Sequence, residues 1–133
     1  MKILPLLLLT LTAAGALFAE TPKVETLAIG APAPDFKLPG VDGKDWALAD
    51  FAEAKALLVV FTCNHCPTAQ AYEERLKKIV EDYKAKGVAV VAISPNDPKS
   101  VRLDELGYSE LGDSFDDMKV RAKAAAFKFP LPL

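Results

Sequence analysis

The spacing of hydrophobic positions changes several times along the chain, and each change predicts a different element. In "DFKLPGVDGKDWALADF" (35–51) short alternating segments flank Asp42-Gly43, a turn dipeptide, so the stretch predicts a β-hairpin. "ALLVVFT" (56–62) is an uninterrupted apolar run, rich in β-branched residues, and predicts a central strand buried on both faces. From Pro67 to Lys86 the period lengthens: Ala69, Tyr72, Leu76, Ile79, Val80 and Tyr83 recur three and four apart, an amphipathic helix that Gly87 ends. "VAVVAIS" (88–94) predicts a second buried strand, and strand, crossover helix and strand in this order make a right-handed βαβ unit. Residues 113–127 predict a second helix, capped by Asp113 or Ser114, with Ser114-x-x-Asp117 as a capping box that has Asp in the Glu position. In the closing "KFPLPL", three apolar residues alternate with two prolines.

The first residues follow another rule. "MKILPLLLLTLTAAGALFAE" has one cation, an apolar core and small residues after it, the layout of a secretory signal peptide too short to span a bilayer. Cleavage is expected after Ala16 or Ala19. The expected organisation is therefore a leader at 1–19, an extended lead-in at 20–34 and one domain at 35–133, within the 133 residues of the chain. The 16 basic and 18 acidic residues give a charge of −2, and −3 once Lys2 leaves with the leader. A weakly acidic domain of interspersed charges has no electrostatic reason to seek nucleic acid or an anionic membrane. Export also matters to the cysteines, because a close pair stays oxidised outside the cytosol.

Both cysteines, Cys63 and Cys66, and the sole histidine, His65, fall in "TCNHCP", between the first apolar run and the first helix. At this corner the unsatisfied N–H groups and dipole of the helix favour a thiolate, and Pro67 sits where its missing N–H costs little. Cys63 is expected to be the exposed attacking thiol and Cys66 the resolving one, forming a redox-active disulfide with no other cofactor. His65 is a tuner of the thiolate or a plain loop residue. A metal clamp of Cys63, Cys66 and His65, for Cu(I) or Zn(II), is the alternative; a structural zinc site would want a fourth ligand, and no other Cys or His exists. A purely structural disulfide is weak, since so small a loop constrains the unfolded chain little. Trp46, Asp35 and Phe51 read as hairpin packing, and Tyr72 and Tyr83 as core or boundary residues. "SPNDPKS" reads as a strand-end loop, which borders the cysteines if the βαβ unit forms.

"APDFKL", "DGKDWALADF", "LLVVFTCNHCP" and "VAISPND" together resemble the thioredoxin-like redoxin group, which includes the alkyl hydroperoxide reductase/thiol-specific antioxidant proteins. The resemblance covers roughly residues 30–130. It implies an α/β thioredoxin-like fold, thiol redox chemistry at Cys63 and Cys66 tuned by Thr62, His65 and Pro67, and protein dithiols or disulfides, or a thiol reductant, as partners. Thr62 stands where thioredoxins proper usually carry Trp. The peroxiredoxin pattern Pro-x-x-x-Thr-x-x-Cys is absent: counting back from Cys63 gives Val60 and Ala56, and from Cys66 gives Cys63 and Val59. The group's cis-proline turn, two further strands and last helix have no counterpart before Leu133, so the expectation is a fold lacking its C-terminal part, with one edge of strand 56–62 unpaired.

Overall fold

A computed structural model describes residues 25–100 and 110–133; the leader lies outside them. Residues 25–32 belong to a separate unit, in which the Ala31 amide donates to the Ala28 carbonyl at 3.0 Å. Every element below lies in residues 33–133.

Strands β1 (Lys37–Pro39) and β2 (Asp45–Ala47) pair antiparallel, Leu38 opposite Trp46. Gly43 takes φ +83° in their turn, a conformation that glycine adopts without a Cβ penalty. Trp46 stacks on Phe51 at 5.7 Å and its indole N–H donates to Asp42, which makes it a hairpin packing residue as expected. Strand β3 (Ala56–Phe61) leads to helix α1 (Pro67–Lys84), which returns the chain to strand β4 (Val88–Ile93), parallel to β3 from Ala56↔Val88 to Phe61↔Ile93. The βαβ unit read from the pattern is therefore present, and Gly87 at φ +84° makes the turn into β4. Helix α2 (Phe115–Ala124) starts at Ser114, whose hydroxyl oxygen accepts from the Asp117 amide at 3.2 Å. The reciprocal bond of a full capping box is replaced by Ser114 Oγ donating to the Asp117 carboxylate at 2.7 Å.

The alternation in "KFPLPL" acquires a reason here. The Ala92 amide of β4 and the Ser94 amide just past its end donate to the Pro130 and Pro132 carbonyls at 2.9 and 3.1 Å. On its opposite edge the tail accepts from Val41 through Leu131 and donates from Leu133 to Pro39, at 3.1 Å each. Alternate residues of an extended segment face opposite neighbours, so prolines sit where only acceptors are needed. The tail thus joins β4 to the hairpin. Phe129 and Leu131 reach the core beside Val90, Ala92 and Met118, with Leu76 and Val80 of α1 packed against it.

Two expectations fail. Strand β3 is not buried on both faces: Leu58, Val59 and Phe61 are 36, 40 and 68% exposed. Among the described residues β3 pairs only with β4, so one edge is open, and exposed side chains lie on both faces of the strand. Tyr72 and Tyr83 are exposed rather than core, and only Leu76 and Val80 of the α1 stripe pack on the core cluster.

Candidate active site

The parallel pairing brings the ends of β3 and β4 to one place, which puts "TCNHCP" next to the loop after Ser94. Thr62 continues the ladder, its amide donating to Ile93 at 3.0 Å. Cys66 is the N-cap of α1 and Pro67 its first residue, as the pattern predicts. Both cysteines are half-buried free thiols on the wall of an apolar cleft of about 590 Å³, which Leu58, Phe61, Tyr72 and Ile79 also line.

The turn between the cysteines is held from a distance in sequence. Asp113, immediately before the cap of α2, has a fully buried side chain. Its Oδ1 accepts from the Asn64 amide at 2.7 Å and the His65 amide at 3.3 Å. Its Oδ2 lies 2.5 Å from His65 Nδ1 and accepts from Asn96 Nδ2 at 2.7 Å. Asn64 is itself buried, donating to Gly112 and accepting from Gln70 through its carbonyl. Burial alone would raise the Asp113 carboxyl, but donation from Asn96, the Asn64 amide and His65 outweighs it and holds the group below its ordinary value.

The two thiols differ in the opposite sense to the one expected. At Cys66 the Ala69 amide has the largest influence, and with the Thr68 amide and hydroxyl and the Cys63 thiol it outweighs burial, lowering the pKa. No cap hydrogen bond is closed by the thiol, so the amides act as dipoles aimed at the sulfur. At Cys63 burial dominates, and the negative charges of Asp113 and Cys66 add to it. The Cys66 amide and the Asn96 side chain pull the other way without prevailing, so the Cys63 pKa is raised. The expectation of a depressed, exposed Cys63 is therefore corrected: the helix terminus serves Cys66, whose place at the cap faces its amides.

His65, read as a tuner, points a ring nitrogen at Asp113. Pro67 is exposed, in a position that fixes the start of α1. Asp113 and Asn96 are the residues that the sequence reading missed as parts of the site. In the sequence pattern Asp113 reads only as a helix cap and Asn96 only as part of a loop. The signal for Asn96 was its place just past the parallel strand; nothing in the local pattern pointed to Asp113.

The family described as AhpC/TSA matches residues 29–132. The chain belongs to the AhpC/TSA family. A Helicobacter pylori protein (strain ATCC 700392 / 26695) named "Putative peroxiredoxin bcp" is 29% identical over 77 residues, 58% of this chain and 51% of that protein. The crystal structure of hypothetical protein SMc02350 from Sinorhizobium meliloti 1021 is 33% identical with a TM-score of 0.68, covering 81% of this chain and 54% of that one. A thiol:disulfide interchange protein of the thioredoxin family from Chlorobium tepidum TLS shares the fold at 20% identity and a TM-score of 0.58, over 77% of this chain and 59% of that one. The fold is thus thioredoxin-like, and the chain spans about half the length of the proteins it matches. Among the described residues no helix is long and apolar enough to cross a membrane.

Proposed function

We propose that the chain is an exported thiol–disulfide oxidoreductase whose redox couple is Cys63 and Cys66. The observation that carries the reading is Cys66 at the cap of α1, on the wall of an apolar cleft that Cys63 also lines. A protein disulfide entering the cleft meets Cys66, which gives up its proton more readily than Cys63 to become the thiolate. That thiolate attacks one substrate sulfur, forming a mixed disulfide and expelling the other sulfur as a thiolate. Cys63 then gives its proton to the released thiolate and attacks Cys66 Sγ. The substrate leaves with two electrons and, after protonation from water, two protons, and the Cys63–Cys66 disulfide remains. In the reverse direction the disulfide oxidises a protein dithiol. Export rests on the leader pattern at 1–19.

The test is exchange with a small disulfide by the reduced protein and by Cys63→Ser and Cys66→Ser. Release of two substrate thiols per chain is expected from the parent, and a trapped mixed disulfide from Cys63→Ser. Unchanged exchange in either variant would overturn the couple. Alkylation against pH orders the two sulfurs: Cys66 in Cys63→Ser should react at lower pH than Cys63 in Cys66→Ser.

The relative's peroxiredoxin name favours thiol peroxidase activity as a second reading. Peroxide should then oxidise the thiolate far faster than free cysteine, and a rate like that of free cysteine removes this reading.

A further inference from the structure

Around Cys63 of the couple stand donors that disulfide exchange does not use. Cys63 Sγ, a His65 ring nitrogen and an Asp113 carboxylate oxygen all lie within 4.8 Å of one another. Cys66 stands outside that group but lines the same cleft as Cys63, three residues along the turn. Three donors are already together, and a swing of the Cys66 thiol toward them would complete a tetrahedral set of two sulfurs, one imidazole and one carboxylate, with Asp113 as the fourth ligand that Cys63, Cys66 and His65 lack by themselves.

We propose that, with both thiols reduced, Cys63, Cys66, His65 and Asp113 bind one zinc ion. The donor chemistry selects the metal. A hard carboxylate is out of place around Cu(I), and thiolates are out of place around Mg(II) or Ca(II), whereas Zn(II) accepts sulfur, nitrogen and oxygen together. The oxygen donor is also held in advance. Asp113 is fully buried, and the Asn64 and His65 amides and Asn96 fix its carboxylate in direction. Oriented ligands of this kind are what a metal site requires of its surroundings.

Zinc takes the position between His65 Nδ1 and Asp113 Oδ2, now 2.5 Å apart. Bond lengths of about 2.0–2.2 Å to nitrogen and oxygen require this pair to open by roughly 1 Å. The imidazole proton moves from Nδ1 to Nε2, and each thiol loses its proton to solvent, so uptake from the dithiol releases two protons. The disulfide form has no thiolates to offer and does not bind. Zinc and substrate disulfide therefore compete for the same reduced sulfurs, so the inference shares its two thiols with the proposed oxidoreductase.

The experiment uses the reduced chain, titrated with zinc against a chromophoric chelator, with Co(II) as a spectroscopic stand-in. One metal per chain is expected, together with thiolate-to-cobalt charge-transfer bands, and none after oxidation to the disulfide. His65→Ala and Asp113→Asn should each weaken binding by more than the about 10–100-fold that loss of a group merely supporting a ligand costs. The His65 ring is partly exposed, so His65→Ala keeps the test open if Asp113→Asn fails to fold. Absence of stoichiometric uptake, or parental affinity in His65→Ala, would overturn the site. If zinc fails to bind while disulfide exchange persists, only the metal site falls. If zinc binds and exchange is absent, the oxidoreductase reading falls and the site stands.

Discussion

Strands β3 and β4 are equal in length, almost wholly apolar and paired to each other along their whole length, yet they are not in the same situation. β4 has β3 on one edge and the 129–133 tail on the other, and Val91 and Ala92 at its centre have no exposure. β3 has a neighbour on one edge only among the described residues, and Phe61 at its end is 68% exposed. Apolar character alone does not tell a central strand from an edge strand; the number of partners does. Leu58 and Phe61 of this open strand line the same cleft as the cysteines.

The largest expected contrast is in stability. Leu131→Ala removes a side chain that is 1% exposed and belongs to the tail covering β4; it should cost about 2–5 kcal/mol in urea unfolding. Phe61→Ala on the open strand should change stability by no more than about 0.5 kcal/mol. Similar costs for the two would break the comparison.

Acid should act next, through Asp113, which ties the turn after β3 to the start of α2. Its folded pKa lies below the unfolded one, so its contribution is fully present above the ordinary carboxylate range and is lost as pH falls through the folded pKa. Urea midpoints measured downward from neutral pH should fall most steeply below about pH 4. In Asp113→Asn that acid-dependent part should shrink.

The smallest effect sharpens how the tail is delivered to β4. Ala126 turns the chain out of α2 at φ +53°, a left-handed conformation that costs a residue with a Cβ about 1 kcal/mol. Ala126→Gly should therefore raise stability by roughly 0.5–1 kcal/mol in the same unfolding assay. A loss would mean that this turn is not the one that sets the tail.

The elements were legible where period and punctuation agree: the hairpin around Gly43, the βαβ unit and the Ser114 cap all follow from local signals. Helix α1 was also legible, but its apolar stripe overstated its burial. Tyr72 and Ile79 face the cleft, because a stripe shows which side of a helix is apolar and not whether anything covers it. The cysteines were found because their pattern is compact in sequence. Their electrostatics were not, since the Cys63 pKa is raised first by burial and then by the charge of Asp113, and only the folded chain supplies either. The closing prolines became interpretable once both edges of the tail were seen to need different hydrogen-bonding groups.

The central claim is that Cys63 and Cys66 form a reversible two-electron couple, and the most direct measurement is equilibration with glutathione buffers of stepped ratio, followed by acid quench and thiol counting by mass. The account predicts one transition between a dithiol and an intramolecular disulfide, following a two-electron dependence and independent of protein concentration. Two thiols that persist at every ratio, or glutathione adducts on each cysteine without an intramolecular disulfide, would contradict it.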